Sequence, residues 1–164
     1  RGDRRPDQLA MRPGVRIGVD VGKVRVGVAR SDAAGILATP YATLKAGRGD
    51  LDSVAKLVRE TEALEVIVGL PLNMDGTEGP SAKAARKWAR RLFRRIEPVT
   101  VRMLDERLSS VQAHRQLHEA GRKEIAHRAV VDQVAAVIIL ENALEYERTS
   151  GQAPGQPVGP SAEG

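Results

Sequence analysis

Apolar side chains alternate with polar or small ones along Val15-Arg16-Ile17-Gly18-Val19-Asp20-Val21-Gly22, and the alternation resumes along Lys23-Val24-Arg25-Val26-Gly27-Val28-Ala29. A period of two predicts two extended strands, with Gly22-Lys23 between them as a hairpin. Ser31-Asp32-Ala33-Ala34-Gly35 reads as a second turn, and Ile36 to Leu44 as a third strand in which Pro40 marks an edge or a bulge. Three strands with short links imply an antiparallel meander. The pattern then changes. Asp50 or Asp52 is placed to cap a helix that carries Leu51, Val54, Leu57, Val58 and Leu64 on one side. Glu65 to Leu70 is a short apolar run of the kind buried on both faces of a parallel sheet, and it ends in the polar loop from Pro71 to Pro80. Ser81 to Ile96 has helical periodicity, and Pro98 to Leu104 predicts a fifth strand. Ser109 or Ser110 caps an expected helix through Glu119, and Ala129 to Glu147 forms the last helix. The order βββαβαβαα predicts one α/β domain over residues 15–148, a mixed five-stranded sheet flanked by helices. Residues 1–14 read as a flexible arm, and residues 149–164, rich in Pro, Gly, Ser and Ala, as a disordered tail.

Composition narrows the partners. The 164 residues carry 26 Lys and Arg against 21 Asp and Glu, a net charge of +5 that favours a polyanion. Aromatic residues make up 2%, too few to build stacking platforms for single strands, so backbone phosphate is the expected target. The absence of cysteine excludes disulfides, thiolate zinc sites and cysteine nucleophiles, and suits a reducing cytoplasm. No apolar run approaches the ~18 residues of a membrane span.

The positive charge is concentrated. On the helix from Ser81 to Ile96, Ala82, Ala85, Trp88, Ala89, Leu92 and Ile96 fall on one side, while Lys83, Arg86, Lys87, Arg90, Arg91, Arg94 and Arg95 fall on the other with no acid among them. Such a face is a solvated surface, a phosphate contact or a protein-docking site.

Three acids stand out. Asp20 lies within an apolar strand, which suits either a strand end facing water or a carboxylate with a partner. Glu106 directly follows a buried strand, where it is a helix-initiating acid or a ligand. Asp132 shares a helix face with Ala136, Ile139 and Ala143, so it points inward as a structural acceptor or a cation ligand. Together they would form a set of hard oxygen donors suited to Mg²⁺ or Mn²⁺. His114 and His118, four apart, lack a matched third zinc ligand, and His127 reads as a surface residue.

Four ordered segments carry a family resemblance across residues 15 to 146. Asp20-Val21-Gly22 with Arg25, Gly27 and Ala29 resembles the opening hairpin of the YqgF/RuvX family. The run from Gly69 to Glu78 is similar to that family's central loop, Asp105-Glu106-Arg107-Leu108-Ser109-Ser110 to its next motif, and Asp132 with Ala135, Ala136, Ile139, Leu140 and Glu141 to its last. The resemblance implies an RNase H-like fold related to the RuvC resolvases, with Asp20, Glu106 and Asp132 as catalytic, metal-binding acids. It implies a cytoplasmic, metal-dependent nuclease that matures the 5′ end of precursor 16S rRNA or resolves Holliday junctions. It adds Arg25, Asn73, Arg107 and Arg128 as candidates for phosphate contact or loop positioning. Many relatives carry lysine where this chain has Val24 and Val130; Lys23 and Arg128 are the adjacent cations available instead. With the helix cations Arg86, Lys87, Arg90 and Arg94, these form the expected nucleic-acid-binding set. A resolvase that cuts two strands symmetrically would be expected to form a homodimer. The competing reading is a non-catalytic nucleic-acid or transcription-associated binding module. Sugar kinases and actin-like ATPases open with a similar Asp-x-Gly hairpin, but they need a second lobe beyond this length.

Overall fold

A computed structural model describes residues 11–108 and 125–159. The expected helix beginning at Ser109 or Ser110, and His114 and His118 on it, lie outside the described residues. The strands are β1 (Arg16–Val21), β2 (Arg25–Ser31), β3 (Ala38–Lys45), β4 (Glu65–Leu70), β5 (Thr100–Asp105) and β6 (Gln156–Val158), in the sheet order β3-β2-β1-β4-β5-β6. The helices are α1 (Asp50–Thr61), α2 (Pro80–Ile96) and α3 (Ile125–Ser150), with a 3₁₀ turn at Glu106–Leu108. The meander is antiparallel, whereas β1, β4 and β5 run parallel, as the two periodicities predict. Pro40 falls on the edge strand β3, opposite a register shift between Val28 and Ala29, where a missing N–H does least harm.

The alternation of β1 and β2 sorts the core into two layers. Ile17, Val19, Val26 and Val28, with Val66, Val68, Val101 and Met103, pack beneath α1 and α2. Ala29, Ile67 and Leu104 pack beneath Ala135, Ala136, Ile139, Leu140, Ala143 and Leu144 of α3. Both parallel crossovers, β1 to β4 through α1 and β4 to β5 through α2, move the same way along the sheet. Right-handed crossovers therefore put α1 and α2 on one face, leaving the other to α3.

Three expectations are corrected. The sheet has six strands, not five, because Gln156–Val158, within the expected disordered tail, pair antiparallel with β5. Residues 11–14 of the expected arm are held: the Gly14 amide donates to Ala33, and Arg12 donates to Glu147 and Glu65. Neither Asp50 nor Asp52 caps α1. The N-cap is Gly49, in a left-handed conformation, and the buried Asp50 instead accepts hydrogen bonds from Leu51 N–H at 2.8 Å and Trp88 Nε1 at 3.0 Å, tying α1 to α2.

On the α3 face, at the N-terminal ends of β1 and β4, lies a buried ionic network. Arg12 donates to Glu147 at 2.8 and 2.9 Å and to Glu65 at 2.8 Å. Arg16 reaches Glu147 at 3.0 Å, and Arg102 reaches Glu65 at 2.8 Å. Arg16 and Glu65 are each 1% exposed and Glu147 3%. Burial pushes the Glu147 carboxyl up, but hydrogen bonds from Arg12 and the charges of Arg16 and Arg12 outweigh that and hold it at about 2. The network fastens one end of α3 to the sheet.

Candidate nuclease site

The other end of α3 lies over a row of sheet residues in which two glycines flank an acid. Asp20 of β1 is paired with Gly27 of β2. On its other side Val19 pairs with Val68, so Gly69 of β4 follows beside Asp20, and Gly69 pairs in turn with Leu104 of β5. Gly27, Asp20, Gly69 and Leu104 therefore form one row facing α3.

The glycines in this region are required by close approach. A Cβ on Gly27 would collide with the Asp132 carbonyl oxygen and stand 3.2 Å from the Asp132 Cβ. One on Gly69 would collide with Glu106 Oε2, and one on Gly18, a turn of the pleat earlier, would lie 2.8 Å from Leu140 Cβ and 2.9 Å from the Ala136 carbonyl oxygen. These gaps let α3 lie directly on β1 and β2, and they bring Asp132 and Glu106 to the two sides of Asp20. Two of the acids are buried, Asp20 at 6% exposure and Glu106 at 1%. Ile139, Ala136 and Ala143 are buried on the same helix face as Asp132, as the periodicity predicts.

Asp132 is turned toward Arg25, whose Nε donates to its Oδ2 at 2.9 Å. Arg25 is thereby an ion-pair partner of one acid as well as an expected phosphate contact. The chemistry of the donors, three carboxylates with two of them buried, fits a hard divalent cation. Among the described residues, however, no group of three or more acidic or histidine side chains is gathered closely enough to hold one ion.

The remaining candidates divide into two groups. Lys23 is exposed at the hairpin between β1 and β2, whose turn closes through a hydrogen bond from the Gly22 amide to the Arg25 carbonyl. Asn73 and Arg107 shape the loop after β4. Asn73 Nδ2 donates to Thr77 Oγ1 at 2.9 Å, and its backbone closes a turn with Thr77 and Gly76. Arg107 donates to Asp105 Oδ2 at 2.9 Å, which holds the Asp105 carboxyl below its ordinary value against the opposing effect of burial, and it also donates to the Met74 carbonyl at 3.2 Å. Arg128 lies in α3, but its side chain, like that of His127, is outside the described ones. Arg86, Lys87, Arg90 and Arg94 lie on α2, across the sheet from the acids. One expected binding surface is thus two. Periodicity shows which side of a helix faces solvent but not which face of the sheet the helix covers; the handedness of the crossovers would have shown it.

The network of Arg12, Arg16, Glu65, Arg102 and Glu147 is absent from the sequence reading, because its members are separated by as many as 135 positions. Only an arginine within an apolar strand, Arg16, hinted at it.

No described helix is long and apolar enough to cross a membrane. A family model described as "RuvX: Holliday junction resolvase" matches residues 14–146. A protein of Nocardioides named "Putative pre-16S rRNA nuclease" is 50% identical over 153 residues, covering 90% of this chain and 98% of its own. Relatives of the same name in Kineococcus radiotolerans and Thermobifida fusca are 52% and 50% identical over 90% of this chain, covering 80% and 98% of theirs. Among solved structures, Thermus thermophilus RuvC superposes with a TM-score of 0.52 at 15% identity, covering 88% of this chain and 99% of its own. The same protein in complex with Holliday junction substrate gives 0.51. The mixed sheet with its helix laid over a glycine row is therefore the RNase H-like architecture of RuvC, and the ordered motifs on it make this chain a member of the RuvX family.

Proposed function

We propose that the chain is a nuclease hydrolysing phosphodiester bonds in structured nucleic acid, with Asp20, Glu106 and Asp132 as its catalytic acids. The observation that carries this is the pair of glycines flanking Asp20: Gly27 admits the backbone of Asp132 and Gly69 admits the carboxylate of Glu106. The names of the relatives favour precursor 16S rRNA as substrate, and the family description favours the four-way junction. Asp20, Glu106 and Asp132 would be the residues to hold Mg²⁺ or Mn²⁺, drawn closer together than they stand in the described structure. When bound, such a cation supplies Lewis acidity and lowers the pKa of water. Arg25 balances the charge of Asp132 and lies at the edge of the site, where it and Lys23 meet phosphate. Asn73 and Arg107 hold the loop at the end of β4, which borders the site.

Cleavage of precursor 16S rRNA and of four-way junctions, side by side with Mg²⁺ or Mn²⁺, tests the proposal. The parent cleaves one of them, and Asp20→Asn loses cleavage while keeping its fold by circular dichroism. Cleavage by Asp20→Asn at the parent's rate refutes the assignment.

A second reading is favoured by the Arg25–Asp132 pair, which occupies one acid in the structure. It makes the chain a binding module without turnover. Its signature is salt-dependent binding with no product under any divalent ion.

A further inference from the structure

We propose that the outward face of α2 is a second nucleic-acid surface, which seats the phosphate backbone of a base-paired flank on the side of the sheet away from the acids. The helix turns Ala82, Ala85, Trp88, Ala89, Leu92 and Ile96 into the core. Its opposite side exposes Lys83, Lys87, Arg91 and Arg94, which lie within one stripe at spacings of four, four and three. The stripe runs on the order of 17 Å along the helix. None of these four cations is in an ion pair among the described residues. Their neighbours Arg86 and Arg95 are neutralised by acids from elsewhere, Glu78 at 2.7 Å and Asp52 at 3.0 Å.

Charge and composition select the occupant. A polyanion is needed to relieve an unmixed positive stripe, and phosphate supplies charge at about 1.7 Å per unit of duplex axis. The stripe offers no exposed aromatic ring for unpaired bases: Trp88 is buried and bonded to Asp50, and the half-buried Phe93 packs against the core. Contact is therefore to backbone and independent of sequence. The route from the acids is continuous. Residues 71–79 leave the C-terminal end of β4 beside Gly69, contact Arg107 through Met74, and lead directly into the first turn of α2 and Lys83. A strand cut at the acids reaches the stripe by passing over that loop. The proposal rests on the nuclease reading for the nature of its polyanion, but its binding test does not require cleavage.

The test compares the full chain with K83Q/K87Q/R91Q/R94Q and with a charge-matched control, R48Q/K56Q/R59Q/R148Q, also at exposed positions. Binding of a blunt RNA duplex is followed by fluorescence anisotropy across a salt series. Loss of the stripe is expected to weaken binding at least tenfold and to reduce the salt slope by about 3, given roughly 0.9 per phosphate contact; the control stays within about 1 of the parent. On the substrate the parent cleaves, the stripe variant slows for the structured form and keeps the parent's rate on a short unpaired oligonucleotide spanning the cut. An unchanged salt slope overturns the proposal, as does equal loss on both substrates or tighter binding of polyglutamate than of RNA by the parent. If the parent cleaves nothing, the nuclease reading fails, and the duplex-binding arm still decides the role of the stripe.

Discussion

Replacing Glu147 by glutamine should cost far more than a single carboxylate on a helix's last turns ordinarily does. Glu147 is 3% exposed, between an arginine that is 1% exposed and another that also bonds Glu65. Removing its charge leaves Arg16 buried without its counterion, and Arg16 Nε already lacks a partner among the described residues. Breaking a buried pair from one side costs about 3–5 kcal/mol, a large share of the 5–15 kcal/mol that holds a domain together. The same contacts depress the carboxyl's titration. Carrying the carboxyl from its ordinary 4.5 to about 2 corresponds to on the order of 3 kcal/mol favouring the folded state at neutral pH. Because the folded value is depressed, this contribution is complete above about 4.5 and disappears as pH falls through about 2. Urea titrations of the parent, Glu147→Gln and the exposed control Glu145→Gln measure it. At pH 7 the urea midpoint of Glu147→Gln should fall by roughly 1–5 M, since slopes are about 1–3 kcal/mol/M, while the control shifts by no more than about 1 kcal/mol. The gap between parent and Glu147→Gln should close as pH is lowered from about 4.5 toward 2. A loss below about 1 kcal/mol, or a gap that does not change over that window, refutes the reasoning.

Two further substitutions probe other parts of the argument. Gly27→Ala should destabilise by about 1–3 kcal/mol and lower cleavage, because its methyl collides with the Asp132 carbonyl and lifts the helix; calorimetry and the cleavage assay check it, and a neutral result would mean the approach is looser than described. Trp88→Phe keeps the ring but leaves the buried Asp50 without its indole donor, so thermal unfolding should report a loss of about 1–3 kcal/mol with nucleic-acid binding unchanged.

Local chemistry made much of the fold legible. Period-two alternation located β1 and β2, and a proline without its N–H placed β3 at an edge. The glycines at 18, 27 and 69 are visible in the sequence, but their purpose is not; only the helix lying across them shows why each lacks a side chain. The sixth strand was illegible because Gln156-Pro157-Val158 has neither length nor alternation, and it exists only because β5 offers an open edge. Arg12 and Glu147 likewise carry no local sign of each other. The three acids were legible as candidates through their positions at strand ends and on a packed helix face. Arg25 pairing with Asp132 was not, since it joins residues separated by 107 positions.

The Arg12–Glu147 contact also dictates a schedule. A ribosome emits about 5–20 residues per second, so the 135 positions between the two partners take roughly 7–30 s to appear. The hairpin bearing Asp20 emerges early in that interval, and the helix bearing Asp132 has nothing to anchor its far end until the interval closes. A half-translated chain thus exposes the first carboxylate without its companion from the helix, and the proposed site can be complete only once Glu147 has been made and has met Arg12.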